Sequence, residues 1–117
     1  MNNDFRFRVN RTIGLIRAAM ARGAVGKAWR AQAMRAKRLA QEAVAPHTYG
    51  GAAAYLYSAA SEAFFAARGA AELAETYELA LPTRAFELRD AAASLYEASA
   101  ALEALADELR EHARDVA

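Results

Sequence analysis

Lys27, Arg30, Arg35, Lys37 and Arg38 are the residues whose type and spacing come closest to a chemistry. Wound as an α-helix from about Lys27, residues 27–43 put Lys27, Arg30, Lys37 and Arg38 on one face, with Arg35 at its edge. Trp29, Ala33, Ala36, Leu39, Ala40 and Ala43 then fall on the other. The chemistry this implies is recognition of an anion, since ammonium and guanidinium groups donate charge-assisted hydrogen bonds to phosphate or carboxylate oxygens. Acids are almost absent from the stretch, with Glu42 alone at its far end, so salt bridges one turn apart cannot account for the pattern. Met34 and Gln41 share the cationic face and mark it as a contact surface. Arg17, Arg22 and the run Phe5-Arg6-Phe7-Arg8 extend it, the two phenylalanines offering stacking platforms to unpaired bases.

Other constellations lead to no reaction. Glu108 and His112 are spaced one helical turn apart, but His47 is the only other histidine, and a di-metal bundle needs a Glu-x-x-His pair from each of two helices. Ser58, Ser61, Ser94 and Ser99 lie in alanine-rich segments with neither a nearby base nor a glycine elbow. The segment GAVGK has the wrong spacing for a phosphate loop and no strand before it. There is no cysteine, which removes disulfides, thiolate metal sites and thiol nucleophiles together. The expectation is a protein that is not an enzyme and uses no cofactor and no metal. Ala19, Gly23 and Trp29 fall at spacings that resemble a helix-turn-helix, which would send the basic helix into a major groove. Arg22 and Gln32 then sit where that motif wants apolar residues, and the plainer reading is a phosphate-contacting face without a base code.

The charge distribution supports an anionic partner more broadly. Residues 1–50 carry ten Lys/Arg against Asp4 and Glu42, a net +8, while residues 51–117 carry five against twelve acids, a net −7. Two arrangements satisfy this split. The basic half can pack beside the acidic remainder, rim against rim, or its face can turn outward to a polyanion with the acidic helices turned away.

The elements that must position these charges are helices. Thirty-four of the 117 residues are alanine, about 29%, and only two are proline, a composition that favours helix almost throughout. The first residues lack the apolar core of a signal peptide, and the longest uncharged run, residues 43–61, is too rich in alanine, glycine and serine to span a membrane. A soluble, cytoplasmic protein is expected. Phe5 to Val9 alternates apolar and basic residues, which suits an extended arm, although Asn3 or Asp4 can equally cap a helix there. Val9, Ile13, Ile16 and Met20 then mark a first helix of about three turns, ended by a kink at Gly23 and Gly26. The basic helix runs to about Ala45, where Pro46 stops it and Thr48 caps the next.

The third helix is expected to reach about Ala80 on a buried stripe of Tyr49, Ala52, Ala53, Leu56, Ala60, Ala63, Phe64, Ala67, Ala71, Ala74, Tyr77 and Leu81. Such an alanine seam lets backbones approach at the close end of the usual range. Tyr55, Tyr57 and Phe65 fall off it. Pro82 opens the last helix, capped by Thr83 or by the residue before the proline, and running to about Asp115. There Leu88, Leu95, Leu102, Leu109 and Val116 recur every seven residues, with Ala91, Ala98 and Leu105 three positions after. Glu97, Glu103, Asp107, Glu108 and Glu111 line its outer side. The seam serves either the other helices of the chain or a second copy.

A chain of this size, wholly helical, with no catalytic constellation, a basic face and an opposite surface fit for packing, resembles the helical small subunit of CRISPR effector complexes. The likeness rests on size, helicity and charge over the whole chain, since that family has no diagnostic motif. It implies a ribonucleoprotein subunit of antiviral defence, lying in a short filament and holding an RNA or single-stranded DNA backbone. The expected architecture is an all-α bundle of three long helices and a shorter first one, with antiparallel neighbours, in one domain. The expected function is binding a nucleic-acid backbone through Lys27, Arg30, Arg35, Lys37 and Arg38, with Arg17 and Arg22, while packing against other protein subunits or copies of itself. The alternative is an adaptor or inhibitor whose basic face docks on an acidic protein.

Overall fold

The computed structural model describes residues 3–45 and 47–115, and every regular element among them is an α-helix: α1 (Asn3–Arg22), α2 (Lys27–Ala43), α3 (Tyr49–Tyr77) and α4 (Pro82–Asp115). Pro46, expected to stop the basic helix, and Val116, the last heptad position, lie outside the described residues.

Helix α1 is twenty residues long and starts at Asn3, not near Val9. Phe5 decides this. It stands four residues before Val9 and joins Val9, Ile13, Ile16 and Ala19 on one buried stripe, while Phe7 is 65% exposed. Of the two readings open for Phe5 to Val9, the helix beginning there holds and the extended arm does not, because burying one phenylalanine on a helical stripe outweighs the alternation. Asp4 in the first turn also suits the positive end of the helix dipole.

The turn between α1 and α2 is built around Trp29. Gly26 takes the left-handed conformation (φ 101°), the only positive φ among the described residues, and a Cβ there would also collide with the indole. A Cβ on Gly23 would come within 2.6 Å of the same ring. Trp29, 2% exposed, donates from Nε1 to the Val25 carbonyl at 2.7 Å. Beyond it Ala33, Ala36, Ala40 and Ala43 are fully buried.

Thr48 caps α3 as expected, its hydroxyl oxygen accepting from the Gly51 N–H at 3.0 Å. The α3 stripe needs two corrections: Phe64 and Leu81 are 41% and 49% exposed, whereas Ala59, Ala66 and Ala70 are buried. α3 is flanked by both α2 and α4, so its buried arc is wider than one stripe, and Phe64 lies at the outer edge of the α4 side, against Tyr96. Leu81 belongs to the turn after α3. Pro82 opens α4, and the N–H of Ala85 reaches the carbonyl of Leu81, the residue before the proline. Leu88, Ala91, Leu95, Ala98, Leu102, Leu105 and Leu109 are all buried, so the heptad seam serves this chain's own core.

Each helix packs against two others, in the order α1–α2–α3–α4 and back to α1, with the most extensive interface between α3 and α4 and the slightest between α1 and α2. Cross-contacts fix the directions. Arg8 meets Glu108 and Arg22 meets Asp90, so α1 and α4 are antiparallel. Arg35 with Glu62 sets α2 against α3, and Ser99 with the Ala60 carbonyl, alongside Phe64 with Tyr96, sets α3 against α4. The result is an up-down-up-down ring in which α1 and α2 are also antiparallel, unlike the steep crossing of a helix-turn-helix. Instead of three long helices and one short, there are two of each. α3 and α4, 29 and 34 residues, span about 43 and 51 Å, while α1 and α2 span about 30 and 26 Å. The α3–α4 hairpin thus runs on past the glycine turn, and Leu79, Leu81 and Phe86 are exposed on its tip.

Candidate functional site

The ring order gives the molecule two opposite broad faces, one made by α1 and α2, the other by α3 and α4. All seven expected cationic residues lie on α1 or α2. Their roles divide. Arg17, Lys27 and Arg38 are exposed and Lys37 half-buried, and none of the four has an ion-pair partner among the described residues. At 100° per residue Arg6 and Arg17 fall on the flank of α1 away from Arg8 and Arg22, which pair with α4, and so on the side of α2. These five cations form the open part of the site, with Gln41 exposed among them and Met34 half-buried.

Arg30 does something else. Its guanidinium donates to the carbonyls of Met20, at 2.5 Å, and Gly23, and lies over the Trp29 ring with its Cζ 5.7 Å from the centroid. Carbonyls at the end of a helix have no partner within it, so Arg30 completes the C-terminus of α1 and ties it to α2. Its Nη1 is thus engaged within the chain, which leaves only Nε and Nη2 for an anion. The spacing of Arg30 within the cationic stretch carried no sign of this, because it depends on where the glycine turn brings the end of α1.

Arg22 and Arg35 stand at the rims, where Arg22 pairs with Asp90 on α4 and Arg35 with Glu62 on α3, the latter at 3.4 Å. Arg8 makes a third link, a two-pronged pair with Glu108 at 3.1 and 2.5 Å. This hydrogen bond holds the Glu108 carboxyl below its usual range and raises the Arg8 guanidinium. The basic and acidic halves are therefore joined along both long seams, as the rim-to-rim arrangement requires. These side chains are about 30–60% exposed, and such pairs are worth roughly 0–1 kcal/mol each. They leave the centre of the α1–α2 face uncompensated, so both expected arrangements coexist: paired rims and an open cationic middle.

Of the residues weighed for catalysis, Ser99, His47 and His112 make structural contacts. Ser99 donates its hydroxyl proton to the buried Ala60 carbonyl at 2.8 Å. His47 packs on Tyr55 with ring centroids 5.0 Å apart, and one of its ring nitrogens lies 3.1 Å from the Glu42 carbonyl. His112 stands edge-on to Tyr49 at 4.5 Å. Among the described residues no group of three or more His, Asp or Glu side chains could hold a metal ion, and no helix is long and apolar enough to cross a membrane. Comparison with protein-family models, curated proteins and solved structures yields no match.

Proposed function

We propose that the chain is a non-catalytic assembly subunit that holds an RNA or single-stranded DNA backbone along its α1–α2 face while packing against other protein subunits, the role implied by its resemblance to the small subunit of CRISPR effector complexes. One observation carries the reading: Arg6, Arg17, Lys27, Lys37 and Arg38 share a face without ion-pair partners among the described residues, while all of the chain's acids but Asp4, Glu42 and Glu78 lie on α3 and α4. Such a face suits backbone phosphates, which are regularly spaced anions that need position and charge but no base code. Arg22 and Arg35 at the rims can exchange a weak carboxylate pair for a phosphate. Arg30 contributes by fixing α2 beside α1.

The test is filter binding of unrelated single strands across a salt series. Five phosphate contacts correspond to a slope of about −3.5 in log affinity against log salt. Changing Lys27, Lys37 and Arg38 to glutamine flattens it by about 2. Because five contacts give weak binding to one copy, the assay is run on the chain with its neighbouring subunits, where contacts along one strand add by effective concentration. A strong preference for one duplex sequence, or an unchanged slope in the triple variant, would sink this reading. The alternative, docking on an acidic protein, is favoured by the three rim pairs, in which carboxylates already serve as partners of this half. It predicts competition by an acidic polypeptide and none by single strands.

A further inference from the structure

The opposite face, made by α3 and α4, holds an opening of different chemistry. A cavity of about 330 Å3 lies between the two helices, lined by Tyr57, Ala60, Ser61, Phe64, Phe65, Ser99 and Glu103. Its aromatic rings are fixed by one another: Phe64 stands edge-on to Phe65 at 6.0 Å and to Tyr96 at 5.6 Å. Packing does not hide them, for Phe64, Phe65 and Tyr96 remain 41%, 50% and 39% exposed. Tyr57 is held by the hydrogen bond its hydroxyl donates to Asp107. The fold gains little from three large rings left in water, since their burial is what would stabilise it.

We propose that this cavity receives an arginine side chain presented by a partner polypeptide. Three features select that ligand. Glu103 lines the cavity and has no ion-pair partner among the described residues, so an apolar group filling the space would strip water from a carboxylate and give nothing back. A cation restores that loss. The rings then favour a planar, weakly hydrated cation that stacks, which is guanidinium in preference to ammonium. The chain already makes this contact once at the cavity's margin, where the Arg110 guanidinium lies over Tyr57 with its Cζ 5.7 Å from the centroid. Size points the same way. Cavities for drug-sized ligands run from about 300 to 1,000 Å3, so this one, at the small end and open to solvent, suits one side chain whose parent chain lies outside against Phe65 and Tyr96. The proposal does not depend on the reading of the α1–α2 face, which is on the other side of the ring.

The experiment titrates the isotope-labelled chain with N-acetyl-arginine amide and follows backbone amide shifts. Saturable shifts confined to residues 57–65 and 96–103 are expected, with half-saturation on the order of 1–10 mM for so small a probe. The neutral citrulline analogue, which keeps the shape and loses the charge, should not saturate. Glu103→Gln should weaken binding about tenfold and Phe65→Ala about two- to fivefold. Both residues are exposed, and an unchanged melting curve shows that each variant keeps the fold. A short peptide with one arginine between leucines should bind at least about tenfold tighter than the amide, by adding contacts to the rings outside the cavity. Equal response to citrulline, shifts centred elsewhere, or indifference to Glu103→Gln overturns the site. Equal affinity for peptide and amide overturns the polypeptide as its source.

Discussion

The two hairpins of this bundle solve the same packing problem by opposite means. In α1–α2 the helices are short, their mutual interface is slight, and the turn closes on one large side chain, Trp29, seated against glycines. In α3–α4 the helices are long, the interface is extensive, and the seam is alanine and leucine repeated over the whole length. A concentrated joint leaves the outer face of its helices free to carry charge, because few positions are needed for packing. A distributed seam uses one face of every turn, and α3–α4 carries its acids and aromatics only where that seam ends.

The largest expected effect breaks this contrast at its concentrated side. Trp29→Ala should cost about 3–5 kcal/mol by urea denaturation, the range for truncating a buried aromatic. Leu102→Ala, in the distributed seam, should cost about 2–5 kcal/mol. Amide exchange separates the two. The tryptophan variant should lose protection chiefly in α1 and α2, the leucine variant throughout. Uniform loss in both would mean that the hairpins are not distinct units.

Next in size is the turn itself. Gly26→Ala places a Cβ at positive φ and against the indole Nε1 of Trp29, so it should destabilise by more than 1 kcal/mol, roughly 1–2 from the left-handed backbone alone. Gly14→Ala, at an exposed α1 position with nothing near its Cβ, should instead stabilise by about 0.5–1 kcal/mol. Failure of the two glycines to differ in sign would remove the turn from the account.

Most of this distinction is absent from a one-dimensional reading for a physical reason. The leucine heptad and the Thr48 cap are local patterns, and both appear where periodicity puts them. Phe5 shows how a local pattern misleads: five residues of alternation fit a strand until Val9, Ile13 and Ile16 extend the stripe backward. Phe64 and Arg30 depend on more than periodicity. Whether Phe64 is core or surface turns on which side α4 takes against α3, and Arg30 is drawn to the end of α1 by a turn that only the folded chain closes. The cationic face itself was legible because charge without acids nearby needs no tertiary information. Its division into open, rim and structural members was not.

That division gives a smaller, sharper effect. Lys37→Gln and Arg38→Gln should each change stability by less than about 0.5 kcal/mol. Arg30→Gln should cost about 1–2 kcal/mol, as lost helix caps do. If the face binds nucleic acid, the order reverses in binding, where Lys37 and Arg38 matter and Arg30 acts only through stability. Equal stability losses at the three positions would erase the difference between open and structural cations.

The smallest effects lie at the two ends of the pH scale and compare a link between hairpins with a link inside one. Arg8 and Glu108 join α1 to α4, and the hydrogen bond lowers the Glu108 carboxyl. A depressed carboxyl contributes stability above its unfolded pKa, near 4.3, and loses it as pH falls through the folded value. Tyr57 and Asp107 join α3 to α4, and there the hydrogen bond to Asp107 raises the phenol, with Arg110 opposing it. A raised phenol contributes stability that is complete below its unfolded pKa, near 10, and is lost as pH climbs through the folded value. Glu108→Gln should therefore flatten the acid limb of a stability profile and leave the alkaline limb alone, while Asp107→Asn should flatten the alkaline limb and bring the Tyr57 absorbance titration back down toward the ordinary phenol value. Both pairs are exposed, so the changes are small and fade in high salt. Amide exchange at the pH extremes locates them: α1 should loosen from α4 first in acid, and the alkaline loss should stay near residues 57 and 107. An acid limb unchanged in Glu108→Gln would show that the Arg8–Glu108 pair contributes nothing to holding the hairpins together.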